Sequence, residues 1–170
     1  MSRPLWQAPP TPRRLPRTRQ SVRCGYVLDQ KGPDGQLARA APDDGVPTID
    51  PELGGCVGWD EHSIQVGVDG VFNVLRYYGF LAEEADLTPQ TRASGFEQYG
   101  APAGGLVDIG PALGERVASG DTLFTVTDTF GSVKTEVTAD SSGVFWRARR
   151  LPQVATGEYV CSVGTDVDSY

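Results

Sequence analysis

The sequence predicts three parts in order: a disordered Arg/Pro-rich tail at residues 1–24, an α/β segment at 25–85 and an all-β domain at 86–170. Three observations lead to this division. Glycine (21 residues) and proline (13) fill a fifth of the 170 positions, which favours many short strands over a helical bundle. Ile64, Val68, Val71 and Leu75 recur at spacings of four, three and four, the stripe of one amphipathic helix. Beyond residue 86, β-branched and aromatic runs alternate with turn clusters, and no helical period returns.

The first 24 residues hold five prolines and six arginines, too little apolar surface to offset the entropy of ordering. An inert disordered tail is expected there. A basic arm for nucleic acid or membrane, and a mis-started reading ahead of the true coding sequence, are the alternatives. From residue 32 onward 21 acidic side chains face 8 basic ones, a balance that repels phosphate backbones and removes nucleic acid as a partner of the body. The chain has only two lysines and more Asp than Glu, a surface suited to an acidic, salt-adapted proteome. No apolar run approaches the roughly 18–20 residues of a membrane span, and no signal-peptide core opens the chain, so a cytoplasmic protein with no membrane partner is expected. Cys24, Cys56 and Cys161 form no CxxC pair, and His62 is the single histidine, so neither a disulfide framework nor an imidazole-rich zinc site is indicated.

Within 25–85 an α/β pattern is expected: a short apolar stretch at Gly25–Leu28, a helix near Gln36–Ala41 ended by Pro42 and Gly45, and a strand at Val46–Ile49. Pro51-Glu52-Leu53-Gly54-Gly55-Cys56 follows, a carboxylate at a strand end before two glycines that allow a tight turn beside a cleft. Glu52 is the first residue this pattern singles out, although a solvated glutamate after a strand is the plain reading of the residues alone. The Ile64–Leu75 helix takes Asp60 as N-cap and Gly79 as the glycine just past its end, and should pack on the strand. Gly67 and Gly70 lower its propensity but allow a close approach to a neighbouring sheet.

In 86–170 strands are expected at Gly104–Val107, Thr122–Thr127, Val133–Thr138, Gly143–Arg149 and Glu158–Val163. Two phrases echo each other: Gly114-Glu-Arg-Val-Ala-Ser-Gly-Asp121 and Pro152-Gln-Val-Ala-Thr-Gly-Glu158, with the same interval from Val117 to Gly120 as from Val154 to Gly157. Such an echo implies a sandwich of two interlocked halves.

Leu-Gly-Glu-Arg-Val-Ala-Ser-Gly-Asp-Thr-Leu-Phe-Thr-Val-Thr-Asp (113–128) with Val-Thr-Ala-Asp-Ser-Ser-Gly-Val-Phe (137–145) resembles the barrel-sandwich hybrid of biotinyl and lipoyl carriers. Upstream, Gly-Val-Pro-Thr-Ile-Asp-Pro-Glu-Leu-Gly-Gly (45–55) and Gly-Val-Phe-Asn-Val-Leu-Arg-Tyr-Tyr-Gly-Phe-Leu (70–81) resemble the succinylglutamate desuccinylase/aspartoacylase family, zinc deacylases related to carboxypeptidases. The resemblance covers about residues 34–164 and the C-terminal portion of that family only. It implies a remnant of a zinc-carboxypeptidase-like α/β domain followed by a barrel-sandwich hybrid.

By the same resemblance the chemistry is hydrolysis of a small N-acyl amino acid or an ester-like bond. Zinc would activate the water, and a carboxylate matched by Glu52 would take its proton and hand it to the leaving amine. The family's zinc ligands, a histidine-x-x-glutamate motif and a later histidine, lie upstream of everything that matches, so no metal ligand is carried over. Zinc is expected for the full-length family and not for this chain alone, which should be inactive unless joined by a separate N-terminal metal-binding half. Exposed sheet edges and the helix face around Val68, Val71, Phe72 and Leu75 invite that half or self-association. His62 reads as a surface histidine of a first helical turn, because its neighbours Asp60 and Glu61 point elsewhere. Lys134 reads as a solvent-facing strand lysine, since the carrier-type hairpin tip falls on Ser132. The alternative function is a non-catalytic binding or scaffold module built on the β-domain.

Overall fold

The computed structural model describes residues 25–30, 32–54 and 58–169. The expected tail at 1–24, with Cys24, lies outside the described residues, as do Gly55 and Cys56 of the glycine turn. The chain is mainly β-sheet with few helices. It divides into two compact units, one holding Gly25 and the described part of 31–90, the other Tyr26–Gln30 and 91–169.

In the first unit, α1 spans Leu37–Asp43 and α2 spans Glu61–Tyr77. Pro42 does not end α1 but sits in its last turn; the stop comes at Gly45, whose φ of 79° allows Gly45 N–H to reach Pro42 O and Val46 N–H to reach Ala41 O. Helix α2 ends the same way, with Gly79 at φ 77° donating to Arg76 O and Phe80 to Leu75 O. Its start is the expected one. The Asp60 carboxylate accepts from Ser63 N–H and from the Ser63 hydroxyl at 2.7 Å, a cap that contributes about 1 kcal/mol. Val46–Ile49 is not a strand: it runs as irregular chain with Thr48 Oγ1 turned back on Val46 O. Among the described residues this unit therefore consists of helices and loops.

The face of α2 that is buried is not the apolar stripe. Gly70, Asn73 and Tyr77 are buried, whereas Ile64, Val68, Val71 and Phe72 keep 39, 43, 62 and 47% of their surface exposed. At 100° per residue the two sets lie on opposite sides of the helix. Asn73 is satisfied there by the backbone of Asp86.

Among its described residues the second unit contains nine strands: β1 Tyr26–Leu28, β2 Thr91–Gly100, β3 Gly105–Ile109, β4 Arg116–Val117, β5 Thr122–Thr127, β6 Val133–Thr138, β7 Gly143–Ala148, β8 Gln153–Val154 and β9 Tyr159–Ser169. They form a five-stranded sheet, β1-β2-β9-β7-β4, and a four-stranded sheet, β6-β5-β3-β8. Neither sheet closes on itself, so the described strands form two open sheets and not a barrel. The core consists of Leu123, Phe124, Val126, Phe145, Val160 and Val163, all fully buried, together with smaller neighbours. The apolar stretch at Gly25–Leu28 provides strand β1, which pairs in parallel with β2 in this unit. Strand β2 was not legible: Thr-Arg-Ala-Ser-Gly-Phe-Glu-Gln-Tyr-Gly lacks clean alternation, and it becomes a strand because β9 and β1 pair with it on its two sides.

The echoing phrases fold alike. Ala118 N–H donates to the Asp121 carboxylate at 2.8 Å and Ala155 N–H to that of Glu158 at 2.9 Å. Gly120 and Asp121 exchange backbone hydrogen bonds with Ala139, and Gly157 and Glu158 do the same with Ala101. Val117 stands opposite Gly143 and Val154 opposite Gly105. A methyl group on Gly143 would run into Gly164 O, and one on Gly105 into Thr127 O. The two phrases thus share the same turn, a carboxylate at the same place and a glycine opposite the valine.

Candidate functional site

Glu52 is exposed, in the irregular segment between α1 and α2. Pro51 before it has a fixed φ, and Leu53 after it lies on α2, where a Cβ at Gly67 would sit 2.6 Å from Leu53 Cδ1. Gly54, at φ 84°, lies over the helix start, where a side chain would meet Ser63 Oγ at 2.9 Å and Asp60 Oδ2 at 3.7 Å. The expected approach of this helix to a strand and sheet is not found, since the described part of this unit has no strand; the space at Gly67 is taken by Leu53 of the loop instead. A glycine inside a helical pattern was the signal; which side chain uses it was not legible.

Trp59, 92% exposed, leads into the Asp60 cap, and His62 is exposed on the first turn of α2. Among the described residues no group of three His, Cys, Asp or Glu side chains is placed to hold a metal ion. These residues therefore do not fit a zinc centre: Glu52 is on the loop, His62 is on the helix, and no third ligand joins them.

At the β5–β6 hairpin, Asp128 Oδ1 accepts from Phe130 N–H and Ser132 N–H at 2.8 and 2.9 Å, and those backbone bonds hold its carboxyl below the usual aspartate range. Lys134 lies beyond this tip on β6, exposed, with Nζ donating to Gly104 O at 2.7 Å. A cavity of about 10 Å³ lined by Tyr26, Val27, Ala93, Val144, Trp146 and Gly164 is too small for any substrate.

A cluster not read from the sequence joins β2 to the 139–141 turn. Tyr99 donates its hydroxyl to Glu97 Oε2 at 2.6 Å, Ser141 donates to Glu97 Oε1 at 2.6 Å, and Asp140 N–H donates to the Tyr99 oxygen at 2.9 Å. Burial, then the Glu97 carboxylate, pushes the Tyr99 phenol up to about 12, while the Ser141 and Tyr99 hydroxyls hold Glu97 below its ordinary value. Every partner is used, which makes this a tie between strands. Cys161 is buried in the core and its thiol is pushed up to about 12, so it is no nucleophile.

Solved structures share this architecture. The ectoine utilization protein EutE of Ruegeria pomeroyi superposes with a TM-score of 0.74 at 24% identity, over 86% of this chain and 49% of that one. A succinylglutamate desuccinylase from Silicibacter sp. TM1040 gives 0.74 at 24% identity, over 89% and 48%. The chain has the fold of the succinylglutamate desuccinylase/aspartoacylase proteins. A further such protein, from Rhodobacter sphaeroides, gives 0.72 at 19% identity over 92% of this chain and 49% of its own. The chain spans about half the length of these structures. No protein-family model and no curated protein matches it. Among the described residues no helix is long and apolar enough to cross a membrane.

Proposed function

We propose that this chain is the C-terminal portion of a zinc-dependent deacylase that hydrolyses small N-acyl amino acids or ester-like bonds, and that it is inactive alone. The observation that carries the proposal is the fold shared, over about half their length, with structures named succinylglutamate desuccinylase or succinylglutamate desuccinylase/aspartoacylase. The described residues do not fit a zinc ion, so the metal would come with a separate N-terminal half. The stripe of α2 supports such a partner, because Ile64, Val68, Val71 and Phe72 stay 39–62% exposed, and burying the exposed remainder of each is worth roughly half of the 1.5–3 kcal/mol of a fully buried side chain. Self-association through the same stripe is the other occupant. The proton transfers are the part of the chemistry this chain would supply: Glu52 accepts the proton of the attacking water and returns it to the departing amine. The two interlocked β-halves support a barrel-sandwich hybrid as the second domain. A cytoplasmic, salt-adapted setting is part of the same reading, supported by the acidic body.

The test is reconstitution. The chain by itself should carry no stoichiometric zinc and cleave no N-acyl amino acid; mixing it with a polypeptide bearing a histidine-x-x-glutamate segment should produce both zinc binding and turnover. Glu52→Gln should then lower the rate about 10²-fold or more, as for a lost general base. Zinc and turnover in the isolated chain would overturn the proposal. The second reading, a scaffold module, is favoured by the self-contained core of the β-unit and would be supported by a stable one-to-one complex with a partner unrelated to hydrolases.

A further inference from the structure

The segment carrying Glu52 is fastened to α2 at two successive residues. Gly67 has no positive φ, so the helix backbone does not require glycine there, and glycine costs about 1 kcal/mol relative to alanine inside a helix. What a side chain there would meet is Leu53: a Cβ at 67 would sit 2.6 Å from Leu53 Cδ1, so the tip of the leucine would have to leave its present place. Gly54 is required twice over, by its φ of 84° and by the Ser63 hydroxyl 2.9 Å from any side chain it could carry. That hydroxyl is itself held, donating to Asp60 Oδ2 at 2.7 Å. Before Glu52, Pro51 fixes one more dihedral.

We propose that Gly67 and Leu53 form a lock that positions the Glu52 carboxylate, with Gly54 on the Asp60–Ser63 cap as its second anchor. The proposal rests on the reading of Glu52 as the proton carrier. Gly67 is a positioning residue and touches no substrate. A glutamate on a free loop would lose backbone conformational entropy each time it met a substrate; the contacts of Leu53 and Gly54 with α2 order that backbone beforehand, and the helix is capped at both ends.

The experiment is a nitroxide label at Glu52→Cys in the full chain with Cys24→Ser and Cys56→Ser, Cys161 being buried. With Gly67 intact the label should show an immobilised spectrum. Gly67→Val should lose the immobilised component to fast local loop motion while circular dichroism stays unchanged. A methyl group is a weaker test, because the Leu53 tip can swing away from Gly67→Ala. Leu53→Ala, which leaves the helix untouched, should mobilise the label as Gly67→Val does, and the double variant Gly67→Val/Leu53→Ala should restore immobilisation by filling the same space. An immobilised label in both single variants overturns the lock. The functional reading fails separately: if Glu52→Gln leaves the reconstituted rate unchanged while the label responds as stated, the lock stands and the proton-carrier role does not.

Discussion

Asn73 and Asp86 are joined by a two-way backbone clamp: Asn73 Nδ2 donates to Asp86 O at 2.7 Å, and Asp86 N–H donates to Asn73 Oδ1 at 2.9 Å. Asn73 is 4% exposed, on the side of α2 opposite its apolar stripe. A primary amide can donate to the carbonyl and accept from the N–H of one residue at the same time, so leucine or an ionised aspartate cannot replace it. Asn73→Leu should destabilise the first unit by about 2 kcal/mol or more, since buried polar groups left unpaired cost ~1–3 kcal/mol each. The urea midpoint reads the loss, and hydrogen exchange at the Asp86 amide should accelerate with it. Unchanged exchange there would mean the clamp is not holding the chain.

The two related turns of the β-unit should respond in parallel. Asp121→Ala and Glu158→Ala each remove the acceptor of one backbone N–H, at about 0.5–1.5 kcal/mol. Glu158→Ala should cost more, because Arg149 also pairs with that carboxylate at 3.2 Å. Thermal melts of both variants measure this, and a larger loss for Asp121→Ala would contradict it.

Gly105→Ala and Gly143→Ala should be far more damaging than their size suggests. In each case the added methyl meets a carbonyl oxygen of the neighbouring strand, Thr127 O or Gly164 O, and main chain cannot swing aside. A loss above about 3 kcal/mol is expected for each, at the severe end for single substitutions. Soluble yield and melting temperature decide it; near-wild-type melting would show that the sheets yield at these points.

The Glu97–Tyr99 tie makes stability depend on pH at both ends. Glu97 binds its proton less readily folded than unfolded, so as pH falls below the ordinary value of 4.5 the unfolded chain takes up the proton first and the fold loses this contribution. Tyr99 holds its proton up to about 12 in the fold, against 10 unfolded, so its contribution is present below pH 10 and is lost as pH rises toward 12. Glu97→Gln should flatten the acid limb of a melting-temperature profile and Tyr99→Phe the alkaline limb. Profiles parallel to wild type would exclude the tie as their source.

The apolar stripe of α2 should tolerate charge in the isolated chain. Val71→Lys, at a position 62% exposed, is expected to change stability by no more than about 0.5 kcal/mol while abolishing reconstitution or self-association. Sedimentation with and without the added half reads the second effect. Unimpaired association would remove this stripe as the interface.

Elements whose determinants are local could be read from the chain: the Asp60 cap, the Gly79 stop, the 122–127 and 133–138 strands and the repeated turn all depend on residues within a few positions of each other. The candidate base was visible only as a carboxylate before two glycines, because nothing in the order of residues says that Leu53 lies on Gly67 fourteen positions later. Val46–Ile49 shows the opposite failure, an apolar run that stays irregular without a partner strand.

By itself, then, the sequence determined where α2 starts and stops, which turns repeat and which family the chain resembles, since caps, periods and phrases act over short stretches. Tertiary structure decided the face of α2 that is buried, the pairing of β1 with β2, the strand at 91–100 and the anchoring of Glu52. Each of these depends on contact between distant segments, and such contacts exist only once the chain has closed the loops that bring them together.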